Sequence, residues 1–254
     1  MIIDTHTHLS DSRYSNVEEV LSGFKSFGGE FIVDVGFDKE SSEKAFELAK
    51  KAPDVYFAVG YHPSEQAKDN DFEYIASLLG EKKCVAVGEI GLDYHYSGYD
   101  KKLQRELFER QIMLANENGL PFIVHSRDAS ADMLDVLSAN KNYLKKGFLM
   151  HCYSESKEQA MRYLDLGAYF AFGGAITFKN ARKDDIIKAV PIDRIMAETD
   201  CPYLTPEPFR GTLNEPKNVI YVYRKLSKIL DFDIEELSDI IRTNVLRLFS
   251  RIAQ

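Results

Sequence analysis

The sequence predicts a (β/α)8 TIM barrel with C-terminal helices packed on the barrel, and three observations lead there. Eight short, apolar, β-rich runs recur along the 254 residues, amphipathic helical stretches lie between them, and all six histidines fall at or just past the C-terminal ends of those runs. Nearly continuous apolar strands separated by amphipathic helices are what a parallel sheet covered on its outer face requires, because each parallel return needs a crossover. Eight such units suggest closure into a barrel.

The strands are expected at residues 1–6, 30–35 (EFIVDV), 55–59 (VYFAV), 84–88 (CVAVG), 121–125 (PFIVH), 147–151 (GFLMH), 168–172 (AYFAF) and 194–198 (RIMAE). The helices are expected at 17–27, 40–51, 71–80, 101–119, 129–140, 156–166 and 180–189. In the fourth, Leu103, Leu107, Phe108, Ile112, Leu114 and Ala115 fall in one half of the wheel, and Gly119 with Pro121 supplies the stop. After Pro216, which suits a first helical turn, Val219, Val222, Tyr223, Leu226, Ile229 and Leu230 keep helical spacing. A last helix runs from about Ile234 through Leu237, Ile241, Val245 and Leu248, with Asp233 as N-cap and Glu236 three residues on. No linker, repeat or low-complexity tract interrupts the chain, so one domain over 1–254 is expected.

Composition bounds the function. A hydrophobic content of 44% with 28% charged residues is that of a chain able to bury a large core. The formal net charge of −8 argues against a broad electrostatic grip on duplex DNA. It leaves nucleic acid at a small catalytic site open, because bound dications reverse the local sign. Cys84, Cys152 and Cys201 are odd in number and widely spaced, which suggests neither a disulfide framework nor a zinc knuckle. With no basic-then-apolar leader and no apolar run near the length of a membrane span, a cytoplasmic protein is expected.

The histidines supply the chemistry. In a strand, side chains alternate faces, so His6 and His8 of DTHTHL leave one strand end on the same side, with Thr7 opposite. Alone, such a pair either chelates one ion or stacks as packing. In a barrel, however, the strand ends converge on one mouth, where they meet His62, His95, His125, His151, Glu89 and Asp200. Four imidazoles and two carboxylates suit two neighbouring divalent ions. His6 and His8 are assigned to one ion and His125 and His151 to the other, with Glu89 as the bridge. Asp200 binds beside the His6 and His8 pair and also serves as proton acceptor for the attacking water, so Asp200 and Glu89 are the expected catalytic carboxylates. Asp4 shares the face of His6 and is expected either behind it or as a buried capping carboxylate.

At this point DTHTHL, GYHP, GEIGLDY, the run QRELFERQIMLANENGLPFIVHSR, HCYS, GGAITFKNA, ETDCPYLTPEPFRG and NEP together resemble the TatD family of metal-dependent deoxyribonucleases, within the amidohydrolase superfamily. The likeness covers essentially the whole chain. It implies a (β/α)8 barrel, a two-metal centre and hydrolysis of DNA phosphodiesters, with ligands on His6, His8, Glu89, His125, His151 and Asp200. It also places His62 and Arg127 near a bound phosphate, where the Arg127 guanidinium can pair with phosphate oxygens; a surface salt bridge is the alternative. Arg210 is a substrate-binding candidate of the same kind. Glu198 is read either as reaching an additional ion or as a buried polar residue, and Tyr94 and Tyr96 either as base-stacking or as packing. One departure stands out: Thr212 and Leu213 occupy a loop where the family usually carries basic residues.

The expected reaction is attack on a phosphodiester by a water activated between two ions, on single-stranded DNA or a free 3′ end, as a 3′-to-5′ exonuclease. Mixed nitrogen and oxygen ligands suit zinc, manganese, cobalt or nickel, and the resemblance implies magnesium-supported turnover. Two readings compete with the nuclease. One is a hydrolase of another ester or amide, such as an aminoacyl-tRNA deacylase; the other is a metal-binding module without catalysis.

Overall fold

The computed structural model describes residues 1–65 and 69–253. Eight parallel strands form a nearly closed barrel in sequential order: β1 (Ile2–Thr7), β2 (Gly29–Val35), β3 (Val55–Val59), β4 (Cys84–Asp93), β5 (Phe122–Arg127), β6 (Phe148–Met150), β7 (Ala168–Phe172) and β8 (Ile195–Ala197). Helices cross between them: α1 (Val17–Ser26), α2 (Lys39–Lys51), α3 (Asp69–Leu78), α4 (Lys101–Glu117), α5 (Ser130–Ala139), α6 (Lys157–Leu164) and α7 (Asp184–Ala189), followed by α8 (Val219–Leu230) and α9 (Ile234–Leu248). The strands are apolar on both faces because one faces the barrel interior and the other a helix layer. Every residue of β1, β4, β6, β7 and β8 is buried.

Local chemistry starts the helices where the chain turns back. Asn16, Asp38, Asp100, Ser156 and Asp233 each accept a first-turn backbone N–H, which satisfies donors the helix itself leaves unpaired. Asp233 takes the Glu235 N–H, not the reciprocal box with Glu236 that the sequence suggests. Pro216 does not open α8 directly. It begins a short 3-10 turn, Pro216–Asn218, from which α8 continues.

Three further expectations change. The fourth strand runs ten residues to Asp93 and not five, because Gly88 and Gly91 permit close packing on β5. A Cβ at Gly88 would lie 2.7 Å from Ile123 Cβ, and one at Gly91, whose φ is +143°, would lie 2.0 Å from the His125 carbonyl oxygen. In α4, Leu103 is exposed, whereas Gln104 and Gln111 are buried. The last crossover helix begins at Asp184, not at 180.

Closure between β8 and β1 is made without a regular ladder. One bridge, Thr7 to Cys201, joins them, with backbone bonds from Asp200 N to His6 O (3.0 Å) and from His8 N to Cys201 O (2.8 Å). Elsewhere along the seam side chains satisfy the strand edges, as buried backbone groups require. Thr5 Oγ1 donates to Ala197 O, the Tyr223 hydroxyl of α8 accepts from Ile3 N, and Asp4 accepts from both the N–H and the hydroxyl of Thr199. Asp4 is therefore the buried capping carboxylate of this seam, and it also accepts the His6 N–H at 3.3 Å. The helices α8 and α9 cover the junction; Asn244 of α9 donates to the Ile192 and Ile195 carbonyls beside β8.

Candidate active site

The seam and the strand ends set up the mouth of the barrel. His6 and His8 project to the same side, with their Nε2 atoms 3.1 Å apart, while Thr7 on the opposite side donates to Asp34. Asp200 adopts a left-handed φ of +54°, a region Asp tolerates better than most residues, and its Oδ1 lies 3.4 Å from His8 Nε2 and 4.0 Å from His6 Nε2. Glu89 stands between two imidazole pairs. Its Oε2 is 3.5 Å from both His6 Nε2 and His8 Nε2, and its Oε1 is 2.8 Å from His125 Nδ1 and 2.9 Å from His151 Nε2. The Glu89 backbone is tied to Gly36 O at 2.8 Å, which anchors the carboxylate from the β2 side.

Among the described residues, four groups have donor atoms close enough to share one ion: His6, His8 and Glu89; Glu89, His125 and His151; His6, His151 and Asp200; and His62, Asp93 and His125. The first three are the six positions expected from the sequence. Converging imidazole nitrogens at such separations, with carboxylate oxygens between them, fit cations better than they fit one another. The fourth group has a different character. His125 turns Nδ1 to Glu89 and leaves Nε2 3.1 Å from Asp93 Oδ2, so Asp93 holds the far side of a ring that already faces the centre. His62 packs edge-on against His125, with ring centroids 4.4 Å apart, and its Nε2 is 3.8 Å from Glu89 Oε1.

The charge pattern supports the same arrangement. Burial alone would raise Glu89, yet the surrounding imidazoles hold it well below the usual carboxylate range. Asp200 is likewise lowered: burial opposes its charge, and His8, His151 and His6 outweigh it. Burial works against a charge on His8, but Asp200 and Glu89 lift it to about 9. His6 goes the other way, lowered by burial and by His151. His151 and His125 are both raised, because their carboxylate partners overcome burial. His62 is pushed down to about 4, chiefly by burial.

Several side chains around the mouth escaped the sequence reading. Gln104 and Gln111 of α4 each pair both amide atoms with one backbone residue: Gln104 with the N–H and C=O of Asp93, Gln111 with those of Tyr61, the neighbour of His62. Two buried glutamines seven apart on one helix face were the available signal. Glu198, read from the sequence either as reaching an additional ion or as a buried polar residue, is fully buried; its Oε1 accepts the Cys152 N–H and lies 3.4 Å from His151 Nδ1, an ion-pair distance with no formed hydrogen bond. Arg13 pairs with Asp11 and stacks over Tyr203, which in turn lies edge-on to His8.

The arginine candidates sit outside the cluster of imidazoles. Arg127 is exposed, has no carboxylate partner among the described residues and rests against Tyr96, with NH1 3.5 Å from its hydroxyl. Arg210 stacks on Phe178, 4.2 Å from the ring centroid, on the loop that also carries exposed Thr212 and Leu213. Tyr94 is buried and donates to Asp132, a packing role, whereas Tyr96 is exposed at the rim. The three cysteines are free, with Cys84 and Cys201 buried.

Comparison with known proteins agrees with this geometry. The family model described as TatD related DNase matches residues 3–250. The uncharacterized metal-dependent hydrolase YabD of Bacillus subtilis is 40% identical over 253 residues, covering 98% of this chain and 99% of that protein. YcfH of Escherichia coli, described in the same words, is 36% identical over 253 residues, 98% of this chain and 95% of its own. The crystal structure of YJJV, a TatD homologue from Escherichia coli, superposes with a TM-score of 0.92 at 30% identity, covering 98% of both chains. A mouth of imidazoles and carboxylates on a (β/α)8 barrel, with matches along the whole chain, places this protein in the TatD family of metal-dependent hydrolases.

Proposed function

We propose that this single-domain barrel is a deoxyribonuclease that removes nucleotides from the 3′ end of single-stranded DNA, using two divalent ions. The observation that carries the reading is the division of Glu89, one oxygen toward His6 and His8 and the other toward His125 and His151. A carboxylate so divided suits two adjacent ions, zinc, manganese, cobalt, nickel or magnesium, and the family match points to nucleic acid as the substrate class. His6, His8 and Asp200 would hold one ion, and His125 and His151 the other. When bound, such a pair lowers the pKa of water and shields phosphate charge. Asp200 accepts the proton of the attacking water, Arg127 and Arg210 pair with phosphate oxygens, and His62 lines the substrate side of His125. The three unpaired cysteines suit a reducing cytoplasm. No described helix is long and apolar enough to cross a membrane.

The test compares a 5′-labelled single strand with an aminoacyl-tRNA in one preparation, using metal-free protein reloaded with each ion in turn. Stepwise shortening from the 3′ end is expected, and Asp200→Asn should lose it by about two orders of magnitude or more, since an amide accepts no proton. Hydrolysis of the acyl ester with DNA left intact would replace the nuclease reading with the deacylase.

A further inference from the structure

Hydrolysis of an alkyl phosphodiester needs a proton at two places. The attacking water must lose one, and the departing oxygen must gain one. Asp200 serves the first need; the cluster of imidazoles does not serve the second, because His6, His8, His125 and His151 all turn nitrogens to Glu89, and His62 has its Nδ1 on Ser64 and its Nε2 facing Glu89 at 3.8 Å. The sixth histidine stands apart. His95 follows β4, and its Nδ1 is 2.8 Å from Asp128 Oδ2, on the loop after β5. Asp128 takes a left-handed φ of +53°. The ring also lies edge-on to Tyr96, against which Arg127 rests.

Two features join this pair to the reaction centre. First, His95 lines a cavity of about 470 Å³ together with Ser126, Arg127, Asp128 and Ser130, and Arg127 lies two residues along β5 from His125, on the same face of the strand. Second, one carboxylate spans the two places: Asp93 Oδ1 accepts the His95 N–H at 2.9 Å, and Asp93 Oδ2 holds His125 Nε2 at 3.1 Å. Asp93 is in turn fixed through both backbone groups by Gln104. His95 thus has a set position relative to His125. Its Nε2 has no protein partner among the described residues.

We infer that His95 is the general acid that protonates the leaving nucleoside oxygen, held in place by Asp128, with the leaving nucleoside seated in the adjoining cavity. This role rests on the phosphodiesterase reading above. In the step, the water oxygen forms the new bond to phosphorus while its proton passes to Asp200. The bond from phosphorus to the 3′ oxygen of the departing strand breaks, and that oxygen keeps the electron pair and takes the Nε2 proton of the His95 imidazolium. The neutral ring keeps its Nδ1 proton on Asp128. Solvent then restores a proton to His95 and takes one from Asp200, so the net change is addition of one water. Asp128 is a positioning residue: it holds Nδ1 at 2.8 Å and so aims Nε2.

The experiment exploits the leaving group. A thymidine dinucleotide departs as an alkoxide that needs a proton, whereas the p-nitrophenyl ester of thymidine 5′-phosphate departs as a phenolate that does not. Under single-turnover conditions with saturating metal, His95→Gln should slow the dinucleotide by about 10²–10⁴-fold and the nitrophenyl ester far less. Asp128→Asn should show a smaller loss in the same direction, in kcat and not in KM. Because His95 and Asp128 are exposed, both variants are expected to fold and to keep their metal. Equal loss on both esters, or no loss on the dinucleotide, would overturn the acid role while leaving the nuclease reading intact. A wild-type protein that cleaves neither phosphodiester would overturn the nuclease reading and the acid role together.

Discussion

The two halves of the centre are built from the same ligand type but are backed differently. On the β1 side, His8 Nδ1 donates to the Val35 carbonyl at 2.8 Å, and His6 Nδ1, like His151 Nδ1 in the other half, is buried with no hydrogen-bond partner among the described residues, but unlike it has no carboxylate at ion-pair distance there. On the β5 and β6 side, each ring has a carboxylate behind it, Asp93 for His125 and Glu198 for His151. A carboxylate behind an imidazole fixes its orientation and raises its basicity as a ligand more than a carbonyl does. The β5 and β6 half should therefore grip its ion more tightly, and a chelator should empty the His6 and His8 half first. That half also carries Asp200 as the expected proton acceptor, so the looser ion would lie nearer the attacking water.

The largest test removes what the halves share. Glu89→Ala should reduce metal content from the proposed two ions to less than one after dialysis, measured by elemental analysis, with hydrolysis lost. Two tightly held ions in that variant would mean that the halves are independent and that Glu89 does not bridge them.

A smaller effect separates the halves. Asp93→Asn leaves every ligand in place and removes only the charge behind His125, so affinity for one ion should fall by about 10–100-fold while the other keeps its own. Calorimetric titration should then show two well-separated binding events become one closer pair. A uniform loss at both sites would show that Asp93 acts on the barrel mouth as a whole.

The same contrast explains what was legible in the sequence. The apolar runs reveal the barrel because parallel strands are covered on both faces, and the six candidate ligands come together because strand ends meet at one mouth. The residues behind the rings are another matter. Asp93 lies within GEIGLDY, but Gly88 and Gly91 read as the end of a strand when they in fact let it continue against β5. Glu198 reads equally well as filler, since its role depends on which way His151 faces. Leu103 looks like part of a buried stripe and is exposed, while Gln104 and Gln111 take the inner face because the backbones of Asp93 and Tyr61 need partners there. Ring orientation and backbone demand arise only on folding, so periodicity does not carry them.

The smallest effect is on stability, and it sharpens the comparison without using activity. In metal-free protein, protons stand in for the ions. His8 is lifted to about 9 from an ordinary 6.5 by Asp200 and Glu89, and His151 and His125 are also raised, whereas His62 is lowered to about 4 and His6 is lowered too. A raised histidine contributes stability that is fully present below the unfolded value and is lost as pH rises through the folded one. A lowered histidine contributes above 6.5 and loses its contribution as pH falls. Metal-free protein should thus be most stable near pH 6.5 and weaken toward pH 9, with His8 accounting for roughly 3 kcal/mol at most. Bound ions displace those protons, so loaded protein should hold or gain stability over the same window. Thermal unfolding at pH 6.5 and 9, with and without metal, reads both slopes. Between the halves, His151→Gln should remove at least as much of the metal-free slope as His8→Gln, because Glu198 stands behind His151 and only a carbonyl stands behind His8. A larger change in His8→Gln would reverse the order of the two halves.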